Sequence, residues 1–568
     1  MKPALLTEDV QSRGNDIVSS GGRNPRALAA VSVQLLIYFA VVLSLQYIGG
    51  AFRDDFGGAS DEPSHYVTAV MVRDYFAAGF PRGIMRFGED FYIHYPKMAM
   101  GHWPPVAYIV LGTWMLIVGP GRTSVLVLIA LLNATCALTL FLVARRVLFS
   151  IAAHLIAILF LILPLVQLHC DMVMLEVPLM LVSFLAVLAF NRLLVRDTWA
   201  NAFLFGLLAS AAILIKGNAW ALVLVPAISL LLLGELRRVL NLRLLAAAAI
   251  VGVTCVPFTL WSMHVVQDGW DSDTWTWQFT VKAVPSISQF MFATVGVVLA
   301  LCFCAGIWQK VLVPLWHRRL ESFWAVMTAY VVSIWFFHVM VPTSLEPRKV
   351  LMAAPAMLLF AGAGIGWFAQ ILPLRSSLVN RQLFVAAAVS LAFLAVTFEI
   401  PRTYCPGFDR AAQFLLSKPE LKDAAFFISS ATDGEGRFIA EVANREVWPR
   451  HVLIRANKAL VRTNWLMNQY QLRYKTAAEV GDLLNYFGVA IVVLHTDINQ
   501  PITSHHKLLS SLLNQSPDWQ KIYSDYPHCT RHGAGEEIAI YSYKPDPFRK
   551  LSHVEVDLEN KLGRTLQR

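Results

Sequence analysis

Charge is what this chain has least of. Only 15% of its 568 residues are Asp, Glu, Lys or Arg, while 56% are hydrophobic. A soluble globular protein carries about 25% charged residues. The deficit sits in the first two thirds of the chain, where apolar runs of membrane-spanning length, roughly 20 residues, recur. An ordinary soluble protein is thereby excluded. Cysteine is also scarce: the seven present show no CxxC pair and no zinc spacing, which argues against a dithiol redox centre or a structural zinc site. Cys136, Cys170, Cys255, Cys302 and Cys304 lie in or beside apolar runs and read as small core residues. There is no internal repeat, low-complexity tract, Gly-rich phosphate loop, nucleophile elbow or nucleic-acid motif. The net charge of +9 then reflects Lys and Arg in loops on one side of a membrane, and no nucleic-acid partner is expected.

What is present is a polytopic α-helical membrane protein with a soluble C-terminal α/β domain. Residues 1–27 form a polar leader with Arg13, Arg23 and Arg26, expected in the cytoplasm. The apolar run 28–50 is too long for the core of a signal peptide and reads as a retained first helix. A polar loop, 51–103, follows. Asp61 can cap a helix with Pro63 in its first turn and Gly79 at its end. Val67, Val70 and Met71 share a face of that helix, as in a helix lying on a membrane. Further spans are expected at 104–119, 123–147, 151–168, 171–194, 199–215, 218–233, 244–264, 289–311, 322–342, 347–372 and 382–398, twelve in all.

The basic clusters Arg145/Arg146, Arg192/Arg196, Arg237/Arg238/Arg243, His317/Arg318/Arg319 and Arg375/Arg381 fall in alternate loops, which makes those loops cytoplasmic. With a cytoplasmic N-terminus and loop 51–103 outside, simple counting puts Arg145 on the wrong side. Three short crossings within 123–168, giving thirteen spans, restore the parity. The tail, 399–568, then lies outside. Its apolar runs shorten to strand length at Ala424–Ser429, His451–Arg455, Val489–His495 and Glu537–Tyr543. Helical patterns at Gly436–Asn444 and Ala477–Phe487 alternate with them, as in a small α/β domain. Cys405 and Cys529 are the tail's only cysteines, and a disulfide between them is one reading.

Several residues have a chemical reading beside a structural one. Asp61 and Glu62 form an acidic pair at the membrane surface, where a carboxylate can act as a general base; the other reading is an N-cap with a solvated first turn. Asp61 and His65, four apart, share a helix face. Lys216 ends an apolar run, either snorkelling to water or holding a phosphate. Arg348 and Lys349 open a span on the outer side, against the positive-inside tendency, and a lipid phosphate explains the exception. Asp171 and Glu176 flank the start of another span, where acidic residues are rare. The loop 265–288, with Asp268, Asp271, Asp273, Trp270, Trp275 and Trp277, reads as an interfacial aromatic belt or as a lid over a sugar. His94, His102 and His264 could join Glu89 or Asp90 at a divalent metal, although no ligand spacing supports this and no cofactor is certain.

Together these residues resemble the GT-C membrane glycosyltransferases of the ArnT and protein O-mannosyltransferase type. The pieces appear in order: Asp61-Glu62 with Tyr66; Pro104-Pro105 with Tyr108; Glu176-Val177-Pro178-Leu179; Lys216-Gly217; and Arg348-Lys349 leading to Pro355. The resemblance spans about residues 28–398, the expected catalytic domain. It implies a sugar donor on polyprenyl phosphate, transferred with inversion at the outer face to a lipid, glycan or protein acceptor, with Asp61 as base and Glu62 beside it. Lys216, Arg348 and Lys349 are then the phosphate ligands. His65, Tyr66, Trp103, Tyr108, Asp171 and Glu176 line the substrates. Two departures stand out: the Lys that precedes Pro-Pro in the family is Trp103, and its late Arg-Tyr is Arg348-Lys349. The family further implies a hexosyl or pentosyl transfer in the cell envelope, with a bacterial inner membrane as the expected home and the site on its outer side. The rival classes are a transporter, which favours charges in mid-span and repeated halves with broken helices, and a membrane-anchored ligand-binding sensor, which leaves loop 51–103 without a purpose.

Overall fold

The computed structural model describes residues 25–567 except 82, 100, 267–274, 403, 464–469, 531, 532, 534 and 559–563. Most of the leader, and Asp268, Trp270, Asp271 and Asp273, therefore lie outside the described residues. Helices form along the long apolar runs, and Pro257 and Pro285 fall inside two of them. The bundle comprises α1 (Pro25–Gly49), α2 (Glu62–Ala77), α3 (Ile84–His94), α4 (Val106–Val118), α5 (Arg122–Ala144), α6 (Ser150–Leu161), α7 (Pro164–Cys170), α8 (Glu176–Val195), α9 (Trp199–Ile213), α10 (Leu224–Leu232), α11 (Leu242–Val265), α12 (Trp277–Ile307), α13 (Ser322–Met340), α14 (Ala354–Ile371) and α15 (Leu378–Val396). Among the described residues eight helices are long and apolar enough to cross a membrane, and the pair α6/α7, bent by 60°, makes a ninth. Three shorter apolar helices, α4, α9 and the segment Gly217–Leu232, bring the apolar segments to twelve.

One of the twelve does not run from end to end. Val106 at the start of α4 donates to Leu214 O, and Tyr108 bonds His65 of α2. Pro120, just past the other end, accepts from Tyr66, also of α2. In between, a Cβ on Gly112 would lie 2.9 Å from Val72 Cγ1 and 3.0 Å from the Arg73 amide, so the glycine lets α4 lie directly against α2. Helix α4 thus returns to the end it started from. Its buried residues are Ala107, Tyr108, Leu111, Gly112 and Met115, while Ile109, Val110, Leu116, Ile117 and Val118 are exposed.

This corrects the expected crossing at 104–119 and removes the parity conflict. Only two passages, α5 and the bent α6/α7 pair, fall within 122–170, rather than three short ones. Asp171, after α7, meets Arg122, at the start of α5. Arg145, 23 residues further along α5, is roughly 34 Å away at 1.5 Å per residue. At that far end Arg243 pairs with Asp197, Arg146 sits over Phe323, and Gln382 accepts from the Phe149 amide. The basic clusters therefore gather at one end and the loop 51–105 at the other.

Two further corrections concern boundaries and burial. Segment α12 starts at Trp277, not 289, is broken by a kink at Gly296 (φ 75°, ψ 162°), and continues through a π-helical turn to Trp316. Helix α2 does not lie on a membrane by one face. Residues 62–70, 73 and 74 are buried, because α4 covers one side and the C-terminal domain the other. Inside the bundle α12 and α14 cross at small residues: a Cβ on Gly306 would strike Phe360 O, and one on Gly364 would strike Cys302 O.

Beyond α15, helix α16 (Phe408–Leu416) leads into β1 (Ala425–Ser430), α17 (Gly434–Arg445), β2 (Val452–Arg455), α18 (Ala477–Phe487), β3 (Ile491–Asp497), α19 (Ser504–Gln515), β4 (Trp519–Asp525) and β5 (Glu536–Tyr543). The sheet order is β2-β1-β3-β5-β4, with β1 parallel to β2 and β3, and β5 antiparallel to β3 and β4. Strand β1, Ala-Phe-Phe-Ile-Ser-Ser, is buried throughout, as a central strand between helix layers must be. Cys405 and Cys529 are joined in a disulfide.

Candidate active site

Asp61 stands at the N-cap position of α2, but its carboxylate makes no capping bond. Instead it accepts from Arg348 Nη1 at 2.9 Å. Arg348 lies in the 3₁₀ turn Pro347–Ala353 that opens the last buried span. Its Nε pairs with Glu346, and its Nη1 is 4.0 Å from Glu176 Oε1. Glu176 begins α8 and is bonded at 2.5 Å by Lys216 Nζ, from the turn after α9. Both are buried. Four segments far apart in sequence thus converge at one end of the bundle, with acids and cations interleaved. The Lys349 ammonium, alone of the three expected phosphate ligands, has no ion-pair partner among the described residues.

One wall of this cluster is aromatic. His65 is fully buried, shares a 2.7 Å hydrogen bond with the Tyr108 hydroxyl, and packs at a tilt of 45° against Trp103 with ring centroids 4.2 Å apart. Burial pushes its imidazole down to about 3, with Lys216 and Arg348 acting the same way against the opposing pull of Asp61 and Glu176; the ring is neutral at physiological pH. The Asp61 carboxyl experiences the opposite balance. Burial would raise it, but the cationic surroundings, His65 when charged, Arg348 and Lys216, together hold it below the ordinary carboxylate range. It is an anion throughout the physiological range.

Three residues singled out from sequence belong elsewhere. Both Glu62 oxygens are occupied: Oε1 accepts from Arg122 Nε and the Val173 amide, each at 2.9 Å, and Oε2 from the Gly58 amide at 3.2 Å. Glu62 is closed off from solvent. Tyr66 turns away and donates to Pro120 O and to Asn444 Oδ1 of α17. Asp171 sits by Arg122, which donates to its backbone oxygen. Burial raises its carboxyl to about 8 despite Arg122, with Asp54 and Glu62 adding to the rise.

Arg122 was missed in the sequence, and it organises this second network. It also reaches Asp54, whose other oxygen accepts from the Cys405 amide. The signal was available: a lone Arg after Gly119-Pro120-Gly121, opening a span away from the basic clusters. Lys97 was missed too. Its side chain packs on Gly436 in the first turn of α17, and burial together with Arg455 lowers its amine to about 8 against the pull of Asp61, Asp433 and Glu435.

The metal candidates are not brought together. His94 Nδ1 bonds His451 O, His264 is exposed at the end of α11, and Glu89 is on α3. Among the described residues no three His, Cys, Asp or Glu side chains are grouped to hold an ion.

Comparison with known proteins bears on the fold. The profile of the family described as dolichyl-phosphate-mannose-protein mannosyltransferase matches residues 102–261. ArnT from Cupriavidus metallidurans bound to undecaprenyl phosphate superimposes with a TM-score of 0.55 at 14% identity, over 89% of this chain and 97% of that one. Its apo state gives 0.54 at 13%, over 90% and 98%. The apo oligosaccharyltransferase of Archaeoglobus fulgidus gives 0.54 at 13%, over 88% and 80%. No curated protein sequence matches this chain.

Proposed function

We propose that this chain, whose fold is the GT-C fold of the ArnT and protein O-mannosyltransferase type, is an integral membrane glycosyltransferase. It moves a hexose or pentose from a polyprenyl-phosphate donor to a hydroxyl or amine of a lipid, glycan or protein acceptor. The observation that carries this reading is the 2.9 Å contact of Asp61 with Arg348, beside the buried Lys216–Glu176 pair. A base and a set of cations at one end of a membrane bundle are what the transfer needs. The acceptor lone pair attacks the anomeric carbon and its proton passes to Asp61. The carbon–oxygen bond to phosphate breaks on the opposite side, with inversion, and its electrons leave on the phosphate. Lys349, Arg348 and Lys216 stabilise that leaving anion.

The unpaired Lys349 is the first cation available to an arriving phosphate. Arg348, shared at present among carboxylates, is the second. Drawing Arg348 towards phosphate loosens its hold on Asp61, so donor binding and release of the base are coupled. His65, neutral and held by Tyr108 and Trp103, forms an aromatic wall on which a sugar ring can lie. Glu62, with both oxygens occupied, positions the start of α2 and with it Asp61. A site at the outer face of a bacterial inner membrane fits the basic clusters gathered at the far end. A transporter would need buried charges along a path through the bundle; the buried ion pairs described, Arg122 with Glu62 and Asp54, and Lys216 with Glu176, lie at one end.

The test is transfer by the reconstituted full chain, with the donor identified in lipid extracts of a deletion strain as an accumulated polyprenyl-phosphate sugar. Asp61→Asn is expected to abolish transfer while the protein still folds and inserts. Turnover near that of the unaltered protein would reject Asp61 as the base.

A further inference from the structure

Beyond Arg73 the molecule carries large apolar side chains that nothing covers. Phe80 is 63% exposed, Ile84 51%, Val447 78% and Trp448 48%. They come from two different parts of the chain, the loop and first turn of α3 and the turn after α17. Hydrogen bonds and ring contacts draw them together. Phe80 packs on Tyr75 and Phe76, in the last turns of α2, with ring centroids 5.8 and 5.0 Å apart. Arg73, one turn earlier, donates to Val447 O at 3.1 Å. The same turn of α2 lies against Gly112 of α4.

Helix α4, covered by α2 on its Gly112 side, carries an exposed apolar stripe of its own. Ile109, Val110, Leu116 and Ile117 fall at i, i+1, i+7 and i+8, a single helix face. Because α4 lies flat at one end of a membrane bundle, that face meets acyl chains. Exposed apolar patches of this kind mark contact surfaces. Arg86 and Arg450, both exposed, follow Ile84 and Trp448 by two residues, the kind of cation that meets headgroups at an interface, and a Trp among them suits the same depth.

We infer that Phe80, Ile84, Val447 and Trp448 form a bilayer-docking edge, by which the C-terminal α/β domain rests on the lipid surface next to α4. The partner is the membrane itself, containing anionic lipid. This concerns no step of the transfer and stands or falls apart from it.

The experiment uses the full chain in phosphatidylethanolamine–phosphatidylglycerol vesicles. Cys304, the one exposed thiol among the described free cysteines, is first changed to Ser. Single cysteines are then introduced as Trp448→Cys or, independently, Ile84→Cys, and labelled with an environment-sensitive dye. Both positions are exposed in the protein, so a dry surrounding must come from outside it. The expected result is blue-shifted emission, relative to the same dye at the exposed polar position Lys475→Cys, and loss of intensity when brominated acyl chains are included. Water-like emission at both positions, untouched by the brominated lipid, would overturn the inference.

Discussion

Lys216 separates two roles that coincide at one atom. Its ammonium bonds Glu176 at 2.5 Å with both side chains buried, and it is a proposed ligand of the donor phosphate. Lys216→Met removes the partner of a buried carboxylate. Breaking such a pair from one side costs about 3–5 kcal/mol. Arg348 remains 4.0 Å from the same oxygen, so the loss is expected near the lower end, about 3 kcal/mol. Adding Glu176→Gln removes the stranded charge, and the double variant is expected to recover most of that loss. Donor affinity should behave differently. If Lys216 also holds the phosphate, the double variant still lacks a cation, and binding stays weaker by about 2–5 kcal/mol, roughly 30-fold or more at 1.4 kcal/mol per decade. Detergent-solubilised protein serves for both measurements, thermal unfolding for stability and titration with undecaprenyl phosphate for affinity. A double variant no more stable than Lys216→Met would refute the pairing argument. Donor affinity that returns together with stability would show Lys216 to be a strut for Glu176 and no phosphate ligand.

Three further outcomes follow from the geometry. The raised Asp171 carboxyl favours its protonated form in the fold, so its contribution to stability is complete below its unfolded pKa and is lost as pH rises towards about 8; Asp171→Asn should raise the unfolding temperature most above pH 8, and equal shifts at pH 5 and pH 9 would contradict this. Opening the Cys405–Cys529 bridge, whose ends are 124 residues apart, should cost about 5 kcal/mol on the chain-entropy model, read as a lower unfolding temperature with reductant that Cys529→Ala reproduces without it. Impermeant thiol labelling in sealed vesicles should modify Ala78→Cys and Gly121→Cys from the same side and Arg146→Cys from the other; labelling of Gly121→Cys from the side opposite Ala78→Cys, with Arg146→Cys on the side of Ala78→Cys, would restore α4 as a crossing.

Much of this protein is readable in one dimension. Long apolar runs determine the spans, because a backbone in lipid must bond within its own helix. Short β-rich runs place β1, β2, β3 and β5 within two residues of where they lie, because a strand buried on both faces needs an unbroken apolar stretch. Helices α16 and α19 and the strand β4 were not foreseen; each is amphipathic and half-exposed, and its polar residues resemble a loop. Local sequence also puts Asp61 at a helix start, since proline is favoured in a first turn and Pro63 sits there.

What one dimension cannot carry is which partners a side chain meets. Adjacent in sequence, Asp61 and Glu62 point into different networks, one to Arg348 and one to Arg122. A helix turns successive side chains by about 100°, and only the packing around it decides what lies in each direction. Hydropathy gives α4 the character of a span, and at 13 residues its length does not set it apart from the other short apolar helices α9 and α10. The contact of Gly112 with α2 lays it along the surface. Tertiary structure alone brings Arg348, Lys216 and Glu176 to Asp61, because charges buried at a bundle end are stable only when paired, and the pairing joins residues separated by up to 287 positions.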